Sequence, residues 1–438
     1  MSAAQADIRR LKYAVTGCFG GVWGDEPNGV DDLTVVRVAD FNREKASVEL
    51  GDNPTVRAIP HTARNRRILS KGDLLIEKSG GGEQQPVGNV VLFDADVNAV
   101  CSNFVARMPV SSDCDPRFTC YVFRSLYSEA RNVCHIKQTS GIQNLDTDSY
   151  LNESAWLPAR DVQERIANFL DDKTVRIDAL IAAKERLAES LKDIEEVTAF
   201  DMVTRGLSSN SKRTSFVEPW LGEVPLHWGL AKIRSIATVG NGSTPKRDNE
   251  DYWAGGETPW LNSGSVNSPR IVEASDYVTP LAIKECHLPT VRAGSTVVAL
   301  TGQGKTRGRA AFAEFETTIN QHLAFMSVFD QKVSDEYLWV ALTGFYSVFR
   351  YISDGEGSTK GALTCEELNK FRLPIPPPNE QAQIVAAYLQ RLKTIDALKE
   401  HNELHISRLR EYRSSLISAA VTGQLDVSTY KVAAADPH

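Results

Sequence analysis

The residues with the clearest chemical potential form a glycine-rich loop in the second half of the chain. Residues 299–306 read Ala-Leu-Thr-Gly-Gln-Gly-Lys-Thr, which fits the looser form of the P-loop pattern that holds nucleotide phosphates. A true P-loop joins a strand to a helix, whereas the residues that follow, 311–315, alternate as a strand does. An ATP-binding protein that uses Gly304, Lys305 and Thr306 is one alternative. The favoured interpretation is a loop whose backbone approaches nucleic acid closely.

Basic side chains are grouped in three short segments that could contact phosphates. The groups are Arg64, Arg66 and Arg67, then Lys246 and Arg247, then Lys305, Arg307 and Arg309. The chain has 49 basic and 56 acidic residues, and this net charge of −7 by itself argues against a nucleic-acid-binding protein. Electrostatic interactions are screened over about 8 Å at physiological salt, so a local basic loop can still bind phosphates.

No arrangement typical of catalysis or metal binding stands out. The histidines are scattered, and the seven cysteines are irregularly spaced with no Cys-x-x-Cys pair, which predicts reduced thiols rather than zinc or disulfides. We therefore assign no catalytic residue, no metal site and no cofactor. No apolar run approaches the roughly 20 residues that span a bilayer, and the N-terminus does not read as a signal peptide, so we expect a cytoplasmic protein.

The chain repeats itself over more than two hundred residues. Ile-Asp-Ala-Leu occurs at residues 177–180 and again at 395–398, which is 218 positions later (395 minus 177). Val-Thr recurs at the same distance, at 203–204 and 421–422. Each copy belongs to a helical segment that follows a β-rich segment. Such a duplication predicts a pseudo-twofold molecule, which suits a target that also has two halves.

Both repeated segments read as long helices. The first begins after Pro158 and stops at Gly206, and the second begins after the prolines at 376–378. Residues recur at spacings of three and four, which predicts a coiled-coil seam where the two helices pair. Two separate amphipathic helices, each lying on its own domain, are the alternative. The predicted seam consists of Ile177, Leu180, Lys184, Leu187, Leu191 and Ile194 in the first helix and of Ile395, Leu398, Asn402, His405, Leu409 and Tyr412 in the second.

Segments 1–155 and 208–372 have a different character. They show short apolar runs broken by Gly, Pro, Asn and Ser, which predicts strands joined by long loops. Residues 71–80 and 293–302 share a strand followed by a glycine loop, while the remainder of the two segments diverges. Similar helices and different sheets are expected if the helices serve assembly and the sheets distinguish between targets.

Several short motifs together carry a resemblance to a known family. They are the linker at 220–228, the loop at 242–245, the segment at 259–261 and the helix entry at 373–381. In combination these motifs resemble the specificity (S) subunit of type I restriction-modification systems, over nearly the whole chain. Two departures stand out. The first helix has Val162 where the second has Glu380, and the N-terminus has no counterpart of the linker at 220–228.

The resemblance implies an α+β fold in which two β-rich target recognition domains are separated by an antiparallel two-helix coiled coil, with a pseudo-twofold internal repeat. It implies a recognition domain at 1–155, a central helix at 156–207, a second recognition domain at 208–372, a C-terminal helix at 373–427 and a disordered tail at 428–438. It also implies a non-catalytic subunit that binds double-stranded DNA at a bipartite site and scaffolds two methyltransferase subunits, to which restriction subunits can join. A coiled-coil adaptor without a DNA role is the remaining alternative.

On this interpretation the loops of each domain carry the DNA contacts. Phosphate contacts position such a protein and contacts to base edges specify the sequence; Gln and Asn can read adenine through two hydrogen bonds. Trp253, Trp260 and Trp339 are expected to pack within the fold rather than stack on bases. The candidates are Arg64, Arg66, Arg67, Lys78, Ser79, Gln84, Ser140 and Gln143 in the first domain, and Asn241, Ser243, Thr244, Lys246, Arg247, Gln303, Lys305, Arg307, Arg309 and Lys360 in the second.

Overall fold

A computed structural model describes residues 7–139, 141–208, 211–302, 304–354, 361–428 and 430. The chain divides into two compact units. Unit 1 comprises Met1–Lys184 and Leu404–His438, and unit 2 comprises Glu185–Glu403. Each unit therefore contains one β-rich segment and part of each long helix, and the unit boundaries fall inside those helices.

Two of the helices are far longer than the others. None in the described part of the chain combines the length and the apolar composition that a membrane span needs. The α-helices are α1 (Pro116–Ser128), α2 (Thr147–Tyr150), α3 (Arg160–Arg205), α4 (Pro280–Glu285), α5 (Asp335–Gly344), α6 (Tyr346–Ser353), α7 (Cys365–Lys370) and α8 (Pro378–Val421).

The strands of unit 1 form a six-stranded sheet of order β2-β11-β7-β9-β5-β4, two three-stranded sheets, β10-β3-β6 and β12-β13-β8, and the pair β1-β14. Their bounds are β1 (Ile8–Arg10), β2 (Phe19–Gly20), β3 (Asp32–Val36), β4 (Phe41–Asn42), β5 (Ser47–Val48), β6 (Val56–Ala58), β7 (Leu74–Glu77), β8 (Ser79–Gly80), β9 (Val90–Leu92), β10 (Ala99–Cys101), β11 (Val105–Met108), β12 (Ile136–Thr139), β13 (Ile142–Leu145) and β14 (Ser154–Trp156).

Unit 2 has a five-stranded sheet of order β18-β25-β22-β23-β20, the three-stranded sheet β21-β19-β24, and the pairs β15-β16 and β17-β26. Their bounds are β15 (Arg213–Ser215), β16 (Glu223–Pro225), β17 (Gly229–Lys232), β18 (Ala237–Asn241), β19 (Thr258–Leu261), β20 (Arg270–Ile271), β21 (Asp276–Val278), β22 (Thr296–Ala299), β23 (Ala310–Ala313), β24 (Thr318–Ile319), β25 (Leu323–Val328) and β26 (Arg372–Ile375).

The central sheets of the two units have the same strand order. In unit 1 the neighbours run β2-β11-β7-β9, in unit 2 they run β18-β25-β22-β23, and every neighbouring pair is antiparallel. The registers also agree. Ala106 opposes Ile76 in unit 1, and Ala324, which lies 218 positions after Ala106, opposes Val298 in unit 2. The repeat that the helices suggested therefore extends through the sheets.

Each central sheet is covered on both faces, which is why its middle strands, β7 and β22, are buried along their whole length. On one face, Phe118 of α1 packs with Leu74 and Ile76 in unit 1. Trp339 of α5 joins Val298 in the equivalent cluster of unit 2. Smaller apolar clusters fill the opposite faces.

A buried glutamine attaches each long helix to its β-rich segment. Gln163 of α3 accepts from the backbone N–H of Asp115 at 2.9 Å and donates to the carbonyl of Pro158 at 2.7 Å. Gln381 of α8, 218 positions later, accepts from the N–H of Ser334 at 2.9 Å and donates to the carbonyl of Pro376 at 2.8 Å. Asp115 and Ser334 are the N-caps of α1 and α5. The same residue therefore joins the same elements in both units.

The two departures from the repeat have one structural cause. Glu380 accepts hydrogen bonds from the Trp228 indole at 2.9 Å and from His227 at 2.6 Å, and both partners belong to the linker that precedes the sheet of unit 2. Unit 1 has no such linker before its sheet, and there Val162 packs against the apolar core instead. The difference at the helix entry therefore follows from the missing linker.

Both long helices end on a glycine that an indole covers. Gly206 and Gly423 have φ values of 69° and 73°, which is the left-handed conformation that ends many helices. A side chain at Gly206 would lie 3.1 Å from Trp228, and one at Gly423 would lie 3.3 Å from Trp156. Trp156 thus takes in unit 1 the place that the linker tryptophan takes in unit 2.

The paired helices are antiparallel. In unit 1 the beginning of α3 (Ile166, Leu170) shares a core cluster with the end of α8 (Ile417, Val421). In unit 2 the end of α3 shares a cluster with the beginning of α8. An ion pair between the helices is described in each unit: Arg413–Asp178 at 2.7 Å in unit 1 and Lys399–Glu195 at 2.9 Å in unit 2.

Seven of the twelve residues predicted for the seam are buried or half-buried, and five are exposed. Ile177, Leu191, Ile395 and Asn402 are buried, and Lys184, His405 and Leu409 are half-buried. Leu180, Leu187, Ile194, Leu398 and Tyr412 are instead exposed. The residue that follows each exposed one is less exposed: Ile181 is buried, and Ala188, Glu195, Lys399 and Arg413 are half-buried.

The difference arises because two adjacent rows of residues along each helix could form the seam. Leu180 and Ile181 are both apolar, so spacings of three and of four from Ile177 both suit a heptad. At the next levels the hydrophobic residues Leu187 and Ile194 compete with Ala188 and Glu195. The closer packing and the Glu195 ion pair decide in favour of the less hydrophobic row.

Element boundaries also differ from the expected ones. The segment expected to be helical from 373 begins with strand β26, which pairs with β17, and α8 starts only at Pro378. Proline suits the first turn of a helix because its missing N–H has no partner there. The expected disordered tail at 428–438 includes Tyr430, whose ring packs edge-on against Phe169 at 4.8 Å and whose hydroxyl donates to Asp172. Residues 429 and 431–438 lie outside the described residues.

Removing the buried amide of Gln381 should destabilise unit 2. The Gln381→Ala change leaves the Ser334 N–H and the Pro376 carbonyl buried without this partner, at a cost of about 1–3 kcal/mol per group. Denaturant unfolding should show this loss, whereas Gln383→Ala, at an exposed position of the same helix, should change stability by less than about 0.5 kcal/mol. Equal effects of the two changes would contradict the role assigned to Gln381.

The stability effects of Ile181 and Leu180, which are adjacent in sequence, can be compared directly. Ile181→Ala should lower the free energy of unfolding by about 2–4 kcal/mol, because it opens a cavity between the helices. Leu180→Ala should cost less than about 1 kcal/mol, since 54% of that side chain is exposed. Thermal unfolding of both variants measures the difference, and the reverse order would restore the seam expected from the sequence.

Candidate nucleic-acid interface

The glycine-rich loop of unit 2, residues 301–308, connects β22 to β23. A strand therefore follows the loop, as the sequence predicts, and the helix N-terminus that a P-loop needs is not formed there. Tyr346 donates to the Lys305 carbonyl at 2.8 Å, and Arg350 donates to the Gly304 carbonyl at 2.5 Å. The Lys305 ammonium pairs with Glu189 of α3, and this hydrogen bond lowers the pKa of Glu189. These contacts are those of a fixed connecting loop.

The basic residues after the loop are mostly engaged within the protein. Arg307 is buried and pairs with Asp354. Arg309 and Lys305 line a cleft of about 380 Å³, together with Lys192 and Lys399. Four carboxylates, those of Asp193, Glu195, Glu196 and Asp396, line the same cleft. Equal numbers of positive and negative groups give no net attraction for a phosphate.

The loop at 241–247 is anchored by its last residue. Arg247 donates to Asp276 at 2.8 Å, and its guanidinium lies 3.9 Å from the ring centre of Trp253 and 5.0 Å from that of Trp260. The hydrogen bond from Arg247 is the main cause that holds the pKa of Asp276 below its usual value. The two indoles pack edge to face at 5.3 Å, so they act as structural residues, as expected.

A chain of polar side chains brings the two predicted loops of unit 2 together. Thr244 donates to the Gln321 side-chain oxygen at 2.6 Å, the Gln321 amide nitrogen lies 3.3 Å from Nε2 of His322, and Nδ1 of His322 lies 2.8 Å from the Thr301 hydroxyl. Thr244, Gln321 and His322 are exposed. We call Asn241, Thr244, Thr301, Gln321 and His322 the unit 2 edge.

The backbone of this edge is closely packed. Gln321 and His322 lie in the turn between β24 and β25, and the Leu300 N–H donates to the His322 carbonyl at 2.8 Å. Gly242 approaches this turn so closely that a Cβ atom would lie 1.7 Å from the Ile319 carbonyl oxygen. Only glycine permits that approach, so the side chains at the tip rest on a rigid support.

Unit 1 has the same backbone arrangement. Asn103 and Phe104, each 218 positions before Gln321 and His322, lie in the turn between β10 and β11. The Lys78 N–H donates to the Phe104 carbonyl at 2.8 Å, and a Cβ atom at Gly21 would lie 2.1 Å from the Cys101 carbonyl oxygen. The Ser79 hydroxyl donates to Asn144 at 2.7 Å. We call Lys78, Ser79, Asn103, Phe104 and Asn144 the unit 1 edge.

The two edges carry different chemistry on this shared backbone. Phe104 stands where unit 2 has His322, and its ring is 45% exposed. Trp23 and Phe104 line one shallow apolar groove, and the Arg57 guanidinium lies 4.8 Å from the ring centre of Trp23. The unit 1 edge therefore combines an apolar surface with amides, whereas the unit 2 edge is polar throughout.

Comparisons with known proteins agree with these features. Residues 225–407 match the family model of the type I restriction modification DNA specificity domain. The chain is 32% identical to the type I restriction enzyme MjaIX specificity subunit of Methanocaldococcus jannaschii over 197 residues, which is 44% of each protein. It is 21% identical to the putative MjaX specificity subunit of the same organism over 428 residues, which is 97% of this chain and 94% of that protein.

Solved structures show the same fold. The HsdS subunit from Thermoanaerobacter tengcongensis matches with a TM-score of 0.51 at 15% identity, covering 95% of this chain and 97% of that one. A chain from a study of complex assembly and conformational transition of the type I R-M system matches with a TM-score of 0.68 at 16% identity, covering 95% and 98%. Over nearly its whole length the chain is thus similar in fold to type I restriction-modification specificity subunits, and residues 225–407 carry their DNA specificity domain.

For a specificity subunit, the predicted DNA contacts fall into two groups. Those with side chains free to face solvent include Arg66, Gln84, Asn241 and Lys246, which are exposed, whereas Lys78 is half-buried. The others make internal hydrogen bonds. Arg64 donates to Asp31 and to the Ile59 carbonyl, Arg67 donates to the carbonyls of Gly20 and Ala63, Gln143 is buried and accepts from the Val87 N–H, and Ser243 donates to the Cys286 carbonyl. Ser140, Gln303 and Lys360 lie outside the described residues.

Asn103, Phe104, Asn144 and Gln321 are not among the residues predicted from the sequence, and His322 has no predicted role. The 218-residue offset is the signal that links four of these five residues, because it maps the turn at 103–104 onto that at 321–322.

One cluster of potential metal ligands occurs among the described residues. It consists of Cys134, His135 and Glu153. Both ring nitrogens of His135 already have partners: Nε2 lies 3.0 Å from Glu153 and Nδ1 lies 2.8 Å from the Ser149 hydroxyl. Glu153 also pairs with Arg131. These contacts give the cluster a structural explanation as a hydrogen-bonded junction.

Proposed function

We propose that the chain is the DNA-recognition subunit of a type I restriction-modification complex and that each unit reads one half of a bipartite duplex site. The observation that supports this most directly is that two units with the same backbone edge present different side chains. Two units with the same backbone but different side chains at their edges suit a DNA site whose halves differ in sequence. The subunit then selects the DNA and leaves bond making and breaking to its partners.

Lysines near the edges would supply the phosphate contacts. Lys246 extends from the loop that carries Thr244, and Lys78 is adjacent to Ser79 on the unit 1 edge. Most other arginines that the sequence suggested are bound to carboxylates or carbonyls, and the net charge of the chain is −7. Few free cations mean weak non-specific attraction to DNA, so full affinity would require partner subunits.

The exposed row of the helices offers a surface for those partners. In unit 1, Leu180 and Tyr412 are 54% and 57% exposed, and they flank the ion pair of Asp178 with Arg413. In unit 2, the equivalent residues Leu398 and Ile194 are 50% and 47% exposed, and they flank the ion pair of Lys399 with Glu195. Exposed apolar groups at equivalent places mark binding surfaces. One surface in each unit supports two methyltransferase subunits per chain, to which restriction subunits would join in the cytoplasm.

Changing one surface at a time tests this stoichiometry. Leu180→Asp should leave one methyltransferase subunit bound per chain instead of two, because a carboxylate cannot be buried in an apolar contact without a partner. Leu180→Asp combined with Leu398→Asp should leave none. Native mass spectrometry of the co-expressed complex measures the ratio, with Ser190→Asp, at an exposed position of α3, as the control. Two bound methyltransferases in the double variant would contradict the proposed surfaces.

Exchange of one β-rich segment tests the bipartite reading. Because β17 pairs with β26, residues 207–377 should be replaced together by the corresponding segment of a specificity subunit with another target. The methylated sequence should change in one half-site and stay the same in the other, since the retained unit keeps its own edge. Sequencing of methylated positions in the host genome gives the result. A change in both halves, or in neither, would count against one half-site per unit.

A further inference from the structure

The side-chain amide of Gln321 is held from both ends. Its oxygen accepts from the Thr244 hydroxyl at 2.6 Å, and its nitrogen lies 3.3 Å from Nε2 of His322. Thr244 lies on the loop after β18, and Gln321 and His322 lie in the turn before β25. The contact therefore joins segments 77 residues apart in sequence at one exposed tip.

The hydrogen bonds hold the amide at both ends. With the oxygen towards Thr244, the Gln321 nitrogen donates to Nε2 of His322, and Nδ1 of His322 donates to the Thr301 hydroxyl, 2.8 Å away. Because a hydroxyl can donate or accept, the chain also closes with the amide turned over. In either sense one contact is made at the amide oxygen and one at the amide nitrogen.

This arrangement leaves one acceptor and one donor free. The amide oxygen has two lone pairs and the nitrogen has two N–H groups, and the contacts with Thr244 and His322 use one of each. One lone pair and one N–H of the same planar amide therefore remain available to a ligand. An acceptor beside a donor is the pattern that pairs with N6–H and N7 of adenine in the major groove.

The surroundings suit a residue that must reach a base. Gln321 is exposed at the tip of a turn, and the close approach of Gly242 supports that turn from behind. A side chain that is already held loses little conformational entropy when it binds, so its contacts discriminate more strongly. The unit 1 edge has Asn103 at the equivalent position, which carries the same amide on a shorter side chain beside Phe104.

We propose that Gln321 reads an adenine in the half-site of unit 2 and that Thr244 and His322 are positioning residues for its amide. The proposal rests on the proposed function, because it assigns a base to an edge that must first face DNA. It names the ligand by its chemistry, as an adenine–thymine pair presented in the major groove.

The test measures base preference position by position. The complex of the full chain with its methyltransferase subunits is assayed on duplexes in which each base pair of the recognised site is replaced in turn. Gln321→Ala should reduce the preference for adenine at one position by about 5- to 150-fold and leave the other positions unchanged. Gln331→Ala, at an exposed glutamine of the same unit, should change no position.

Two further variants separate a loss of base recognition from a loss of stability. Gln321→Glu replaces the donor with a second acceptor, so the same position should shift its preference from adenine towards cytosine, whose N4 amino group donates. Thr244→Val keeps the shape but removes the hydroxyl that holds the amide. It should weaken the preference at that same position, with the midpoint of thermal unfolding unchanged.

The outcomes distinguish the two proposals. If no position responds to Gln321→Ala or to Gln321→Glu while exchange of residues 207–377 still changes one half-site, the assignment of Gln321 is overturned and the proposed function stands. If the exchange also changes nothing, the proposed function fails. If Gln321→Ala abolishes methylation altogether, the Gln321→Glu preference decides, and the absence of a shift towards cytosine overturns the assignment.

Discussion

The attachment of each long helix through one buried glutamine amide is the interaction on which the rest of each unit depends. Gln163 and Gln381 bind the N-cap backbone of α1 and α5 and the proline carbonyl that precedes their own helix. Those helices in turn cover one face of the central sheets. Breaking the hydrogen bonds of a buried amide costs folding free energy, so the angle at which each helix leaves its sheet has little freedom. The turn that carries the edge of each unit can then keep a defined geometry.

Within the β-rich segments, the internal repeat is kept in the buried sheets and lost at the exposed tips. Strand order, register and the close approaches of Gly21 and Gly242 are the same in both units, because changes there would create clashes or cavities. The tips differ, with Asn103 and Phe104 in one unit and Gln321 and His322 in the other. Loops on a rigid scaffold tolerate such changes, which allows one fold to read different sequences.

Several clustered arginines of this chain are bound within the fold. A guanidinium has five N–H donors, so it can satisfy several buried carbonyls at once, as Arg64 and Arg67 do in unit 1. Arg247 is held by a carboxylate and two indoles, and Arg307 is buried with Asp354. Clusters of arginine in the sequence therefore mark places where backbone carbonyls need hydrogen-bond donors as much as places where a phosphate could bind.

The sequence by itself determined the duplication, the two long helices, the β-rich segments between them and the resemblance to type I specificity subunits, because repeats, periodicity and linked motifs are local patterns that survive without coordinates. It predicted seven of the twelve seam residues, since residues seven apart such as Ile177, Lys184 and Leu191 lie on one face whatever the partner. Only the tertiary structure decided between Leu180 and Ile181, and between Ile194 and Glu195, because adjacent residues suit a heptad equally and packing against the other helix selects one. Only the tertiary structure also revealed the hydrogen bond between Thr244 and Gln321. Contacts between segments so distant in sequence depend on how the strands pair, and no spacing within either segment records that pairing.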